Sequence, residues 1–206
     1  MPAGDGRVFS TTSELVAARG ISVISDIDDT VKITHVTDPK RLWESTFFKP
    51  FTPVPGMADF YRRLGASGTS IHYVSSSPWH LYVPLNQFLA DAGFPSATLA
   101  LKMIRLKDRS ILNILKSPSE TKPPQIESIL ARYPHRTFIL IGDSGEQDPE
   151  IYADVLRRNL DRVARILIRN VTGARRDDAR FTKVFAGVDQ TRWLLFDQPG
   201  EIQALP

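Results

Sequence analysis

Three aspartates crowd into four consecutive positions, Asp26, Asp28 and Asp29 in ISDIDDT (24–30), directly after an apolar run. Carboxylates this close repel one another, and removing them from water is costly unless a cation compensates. Their place at the end of an apolar stretch therefore points to a metal site. The pattern occurs a second time: FILIGD (138–143) ends in Asp143, and Asp148 follows in GDSGEQD. One such cluster alone is usually a turn and a helix cap. Two of them, at the ends of two parallel strands, would bring Asp26 and Asp143 to one point if those strands are neighbours. A third run, IHYVSSSPW (71–79), ends in Ser75, Ser76 and Ser77. Hydroxyls and backbone N–H groups there, at the start of a helix, suit phosphate oxygens, although such a turn by itself is an ordinary cap. Lys122, just before a helical pattern, could bring a cation to the same phosphate; taken alone it reads as a surface lysine.

The elements that must position these groups follow from the hydrophobic pattern. Five short apolar runs read as buried strands: 21–26, 70–75, 97–104, 137–143 and 163–169. Helical spacing lies between them at 57–64, 80–93, 123–133 and 148–160, with Gly93 as a stop, Pro123 and Pro124 as a start, and Asp148 as an N-cap. Strands alternating with helices predict an α/β domain, a parallel five-stranded central sheet with helices on both faces. Ligands of such sheets bind beyond the carboxyl ends of the strands, where the acidic and hydroxyl residues fall. Two long stretches, 31–56 and 105–122, exceed ordinary loop lengths, yet neither is long enough for a large cap domain. RWLLFD (192–197) is a candidate edge strand. Residues 1–20 read as a lead-in and 21–206 as one domain.

The bulk numbers exclude other chemistries. The chain has 206 residues, is 42% hydrophobic and 24% charged, and carries a net charge of +3. It contains no cysteine, so disulfides, zinc–thiolate sites and thiol nucleophiles are out, and a metal would need oxygen or imidazole ligands. There is no apolar run long enough to span a membrane and no signal-peptide pattern, which leaves the cytoplasm as the expected location. The mild basic excess fits an anionic substrate, an anionic membrane surface or simply a solvated face. The four histidines (His35, His72, His80 and His135) show no metal spacing, and His72 reads as structural. GDSGE is not a nucleophile elbow, so Ser144 is not a nucleophile candidate. No stripe of basic and stacking aromatic residues suggests nucleic acid.

The ordered set of DIDDT, Ser75, Lys122 and GDSGEQD resembles the signature of the haloacid dehalogenase (HAD) superfamily of phosphatases, which have a Rossmann-like fold. The resemblance extends further. SDIDDTVKITHV, PFTPVPGMADFYRRL, HYVSSSPWHLY, FLADAGFP, KDRS and FILIGDSGEQDPEIYADV are together similar to the catalytic domain of the phosphatidate phosphatases related to the yeast actin-patch protein, with lipins as more distant relatives. It runs from about residue 20 to residue 197. It implies Asp26 as nucleophile, Asp28 as general acid and base, and Thr30 as the residue positioning that pair. It implies Mg²⁺ held by Asp26, the backbone carbonyl of Asp28, and Asp143, with Asp148 supporting the metal or the lysine. Ser75, Ser76 and Lys122 would hold the phosphoryl group. Thr121 departs from the family picture, which has a histidine before the lysine, and the chain has no room for the additional N-terminal domain that relatives often carry.

An open site without a large cap suits a large or membrane-embedded substrate such as phosphatidic acid, with a peripheral membrane surface as the expected partner. The loop RLWESTFFKPF (41–51) places Trp43, Phe47, Phe48 and Phe51 beside Arg41 and Lys49, a mixture suited to a bilayer interface. The same aromatics could instead fill the core beneath a long loop. Lys102, Arg105, Lys107 and Arg109 could meet a lipid headgroup or form a solvated face. Other phosphomonoesters (protein, nucleotide or sugar phosphates) and a non-catalytic phosphatidic-acid sensor are the alternatives, the sensor disfavoured because both Asp26 and Asp28 are present.

Overall fold

The computed structural model describes residues 15–102 and 118–202. The five apolar runs are strands: β1 (Gly20–Ser25), β2 (Ser70–Pro78), β3 (Thr98–Lys102), β4 (Arg136–Asp143) and β5 (Val163–Arg169). The sheet has six strands rather than the expected five, because β6 (Trp193–Phe196) adds to the open edge of β5. Four residues are too short to show a period, which is why RWLLFD reads only as a candidate strand. The order is β3-β2-β1-β4-β5-β6, and every pairing is parallel. The chain runs outward from β1 to β3 and then crosses back to β4 on the other side of β1. This reversal leaves a crevice beyond the carboxyl ends of β1 and β4.

Alternate residues of the central strands feed two cores, as a sheet covered on both faces requires. Val23, Ile139 and Ile141 face Met57, Tyr61, Leu85 and Phe88 on α2 (Met57–Ala66) and α3 (Tyr82–Asp91). Ile24, Phe138 and Leu140 face Ile126, Leu130, Ile151 and Phe181 on α4 (Pro118–Arg132), α5 (Asp148–Arg158) and α6 (Ala179–Val184). Burying each of these side chains contributes about 1.5–3 kcal/mol. Gly93 ends α3 as expected: its φ is +75°, a conformation costly to residues with a Cβ.

Four boundaries differ from the sequence expectation. The stretch 41–51 is not all loop: α1 (Pro39–Phe47) occupies most of it. Its signal was present in the sequence, since Asp38 accepts from the Lys40 and Arg41 N–H groups (3.0 and 3.2 Å) and Pro39 opens the first turn. Helix α4 starts at Pro118, not Pro123, so Lys122 lies within its first turns and the two prolines are internal. At α5, Gln147 is the N-cap and Asp148 the first helical residue, whose side chain turns into the crevice instead of capping. Finally, β2 continues to Pro78 and carries Ser75, Ser76 and Ser77 within the strand.

At the opposite end of the sheet, Arg136 ties the strand starts together. It donates to Ser22 Oγ (2.7 Å), to the carbonyls of Ala17 and Arg19 (2.7 and 2.8 Å) and to that of Ile21. The buried His72 lies between Ser22 Oγ (3.2 Å) and Thr98 Oγ1 (2.8 Å) and stacks on Tyr133, in keeping with a structural role. Burial, with Arg136 and Arg132 nearby, lowers its pKa to about 4. Among the described residues no helix is long and apolar enough to cross a membrane.

Candidate active site

β1 runs straight into the crevice. The Asp26 N–H donates to the Ile141 carbonyl of β4 (2.8 Å), which carries the sheet pairing one residue past the strand and fixes the direction of the Asp26 side chain. On the neighbouring strand Asp143 stands at the last residue, so the parallel pairing of β1 and β4 brings the two acids together as anticipated. Asp148 joins them from α5. One carboxylate oxygen from each of Asp26, Asp143 and Asp148 lies within 4.8 Å of the others, and all three residues are buried. Gly142 makes this approach possible: a Cβ there would collide with Asp148 Oδ2 and come within 2.7 Å of the Tyr152 ring.

Lys122 enters the same cluster from α4. Its buried ammonium lies 2.7 Å from Asp26 Oδ1, 2.9 Å from Glu146 Oε2 and 2.5 Å from Asp148 Oδ1. Burial disfavours its charge, but the surrounding acids outweigh this and hold its pKa well above the ordinary lysine value. The acids still exceed the cation. Burial, then the neighbouring carboxylates, raise the pKa of Asp26 well above normal despite the attraction of Lys122, and Asp143 is raised in the same way.

The donor set fits a hard divalent cation. Asp143 Oδ1 accepts from the Gly145 and Glu146 N–H groups (2.6 and 3.1 Å), whereas its Oδ2 is buried with no hydrogen bond. Both Asp26 oxygens are buried and lack a hydrogen bond, Lys122 supplying an ion pair to one of them. Buried oxygens left in this state call for a positive ligand, and carboxylates are the ligands Mg²⁺ prefers.

Asp28 belongs to a second, adjoining cluster. Its Oδ1 pairs with Lys32 Nζ (3.0 Å) and accepts from Thr34 Oγ1 (2.9 Å); its Oδ2 accepts from Ser75 Oγ (3.1 Å) and Ser77 Oγ (3.3 Å). Burial would raise its pKa, but Lys32 and Thr34 prevail and lower it. The Asp28 carboxylate thus has its own set of donors, distinct from the partners of Asp26, Asp143 and Asp148. The third acid of the motif, Asp29, is a staple. It adopts a positive φ of 55° and accepts from the N–H groups of Thr34 (2.7 Å), His35 (3.0 Å) and Val36 (2.6 Å), folding the segment after β1 over the crevice.

The remaining expected residues divide. Thr30 is buried beside the motif, and its hydroxyl has no hydrogen-bond partner among the described residues. Ser75 points at Asp28, but Ser76 pairs with Thr121 (2.8 Å), the residue where the family picture has a histidine. Trp43 and Phe48 are 60% and 74% exposed, while Phe51 is half-buried and meets core residue Phe88 edge-to-face at 5.6 Å. The stretch therefore splits between surface and core. Lys49 is exposed and pairs with Glu44 (2.7 Å), and the Phe47 side chain lies outside the described part. Lys102 is buried, not part of a solvated face; Arg105, Lys107 and Arg109 lie outside the described residues. Ser144 binds the Val171 N–H (2.9 Å) and Thr172 Oγ1 (3.0 Å), a structural use. Sequence reasoning missed Lys32, Thr34 and Glu146. Only the four-residue spacing of Asp28 and Lys32 and the acidic run in GDSGEQD hinted at them.

The family described as the catalytic domain of phosphatidate phosphatase APP1 matches residues 21–170. The chain belongs to this family. It is 34% identical over 168 residues to uncharacterized protein C29B5.04c of Schizosaccharomyces pombe, covering 80% of this chain and 27% of that protein. It is 33% identical over 158 residues to phosphatidate phosphatase APP1 of Saccharomyces cerevisiae, covering 75% and 26%. The chain thus spans about a quarter of the length of these curated relatives. Among solved structures, a protein described as a HAD-like phosphatase from Mesorhizobium loti superposes with a TM-score of 0.50 at 12% identity, covering 77% of this chain and 76% of its own. One described as a β-phosphoglucomutase from Thermotoga maritima gives 0.50 at 13%, covering 87% and 95%. These likenesses bear on the fold, which is the HAD-type Rossmann-like fold that the APP1 catalytic-domain resemblance implies.

Proposed function

We propose that this APP1-family domain is a Mg²⁺-dependent phosphoric monoester hydrolase acting on phosphatidic acid, releasing phosphate and diacylglycerol. The observation that carries the reading is the buried Asp26 carboxylate, free of hydrogen bonds, aimed into a crevice it shares with Asp143, Asp148 and Lys122. Family membership supports the substrate.

Asp26 Oδ attacks phosphorus, the bond from phosphorus to the lipid oxygen breaks, and the phosphoryl group is carried as an aspartyl-phosphate. The leaving alkoxide takes a proton from Asp28. Lys32 and Thr34 favour the carboxylate form, which makes Asp28 a ready donor once it carries a proton. Asp28 then returns to the carboxylate form favoured by its surroundings and takes a proton from the water that cleaves the aspartyl-phosphate. Lys122 and the hydroxyl of Ser75 face the oxygens of the transferring group, and Thr30 keeps the motif in register. Asp26, Asp143 and the Asp28 carbonyl, with Asp148 in support, would hold a Mg²⁺ whose charge would neutralise the phosphoryl group. Trp43 and Phe48, with Lys49 beside them, rest at the bilayer interface so that a membrane-embedded ester reaches the crevice.

Phosphate release from phosphatidic acid in mixed micelles tests the proposal, with Mg²⁺ or EDTA, for wild type and Asp26→Asn. Release that needs Mg²⁺ and falls by about 10⁴-fold or more in the variant is expected. Turnover confined to soluble phosphomonoesters would keep the mechanism and remove the lipid, and no turnover of any ester would favour a sensing module.

A further inference from the structure

Beside the acidic crevice lies an open groove of about 780 Å³ between the segment after β1 and helix α3. Its walls are chiefly apolar: Phe51, Pro53, Leu81, Pro84, Phe88 and Ala92. Two chains of contact lead from it to the site. Phe51 presents its ring to Lys32 Nζ, 4.5 Å from the centroid, and Lys32 is paired to Asp28. Leu81 follows, after a single turn, the strand end whose Ser75 and Ser77 bond the other Asp28 oxygen. The groove is thus separated from the polar crevice by little more than the Phe51 ring and the Lys32–Asp28 pair behind it.

Resting on the phosphomonoester reading above, we infer that this groove receives a hydrocarbon chain attached to the phosphate ester held at Asp26. The arrangement suits a molecule with an anionic head and an apolar tail: Lys122 and the hydroxyls meet the head, and Phe51, Leu81 and Phe88 meet the tail. Each methylene that leaves water for such a surface strengthens binding by roughly fourfold at most. A short polar ester gains nothing from it. The groove thus selects for lipid-like esters at the level of single molecules, independently of whether the protein rests on a bilayer.

The test uses alkylphosphonates, which are not hydrolysed, titrated calorimetrically from ethyl to octyl in the presence of Mg²⁺, below the concentration at which they form micelles. Octylphosphonate is expected to bind wild type at least about tenfold more tightly than ethylphosphonate, with a more negative heat-capacity change. Ala92→Trp fills the groove, and Pro84→Glu charges it while suiting the first turn of α3. In both, the octyl advantage should fall below about threefold, with ethylphosphonate affinity kept and circular dichroism unchanged. Equal binding of the two ligands by wild type, or an octyl advantage that survives in both folded variants, overturns the inference. An octyl advantage together with no phosphate release from phosphatidic acid leaves the groove standing and removes that substrate. Release from phosphatidic acid at a rate indifferent to chain length, with no octyl advantage, does the reverse.

Discussion

Two of the buried lysines, Lys122 and Lys32, each pair with a different aspartate of the same motif. Lys122 sits among Asp26, Glu146 and Asp148, where negative charge exceeds positive. Lys32 sits against Asp28 alone, with Thr34 and Phe51 completing its surroundings. Both bring a cation and a carboxylate out of water, yet their effects on the acids are opposite. The Asp26 carboxyl is pushed up by burial and by its acidic neighbours, whereas Asp28 is held down by Lys32. The Lys122 cluster is electrically unfinished and calls for another cation. The Lys32 cluster is nearly neutral and closed. One motif thus supplies an acid open to a ligand and an acid kept in a fixed bed of donors, in keeping with the nucleophile and proton carrier of the mechanism proposed above.

The largest effect that would sharpen this contrast is expected from Lys122→Met. Removing the cation leaves several buried acids facing one another, so activity should fall by about 10³-fold or more, and stability by about 3–5 kcal/mol. Chemical denaturation with and without Mg²⁺ measures the second effect, and Mg²⁺ should restore a larger share of stability to this variant than to wild type. Lys32→Met should also cost about 3–5 kcal/mol, but Mg²⁺ should not repair it, because the orphaned charge on Asp28 lies outside the unfinished cluster. Pairing it with Asp28→Asn should restore much of the stability and none of the turnover. If Mg²⁺ rescues both lysine variants equally, the two clusters are one.

A third buried base gives a smaller, independent check. Among the described residues His72 has no carboxylate partner, and its pKa of about 4 in the folded chain lies below the ordinary value of 6.5. The unfolded chain therefore binds more protons between these values, and stability falls as pH drops from 6.5 towards 4. The loss should approach about 3 kcal/mol over that window and be absent in His72→Gln, as followed by urea midpoints. The smallest effect on the fold is expected from Trp43→Ser combined with Phe48→Ser, within about 0.5 kcal/mol. Its activity on phosphatidic acid in liposomes should drop, while activity on a soluble phosphomonoester is kept. An equal fall in both would remove these aromatics from the membrane.

Much of this was legible in the sequence because it depends on periodicity. The five apolar runs, and the acids at their ends, follow from strands buried on both faces, and the convergence of Asp26 and Asp143 needs only that β1 and β4 be neighbours. What the sequence did not disclose depends on where side chains turn. Lys32 looks like any lysine four residues from an acid until the Asp29 staple folds the segment inward. Asp148 has the type and place of an N-cap, and only the close approach permitted by Gly142 shows it facing the crevice. Helix α1 reads as loop in the sequence, its start marked only by the Asp38–Pro39 pair.

The strand order also has a consequence in time. β1 is hydrogen-bonded on one side to β2, its near successor, and on the other to β4, which is synthesised much later. Until the chain has emerged past Asp143, β1 has one apolar edge without a mate, and closing the long crossover must precede any reward from that pairing. An exposed strand edge is a template for pairing with other chains, so the nascent polypeptide passes through an aggregation-prone interval. Asp26 and Asp143 meet only at the end of that interval, because the pairing of β1 with β4 brings them together. A divalent cation bound at the cluster would therefore act as a latch on the pairing of β1 with β4.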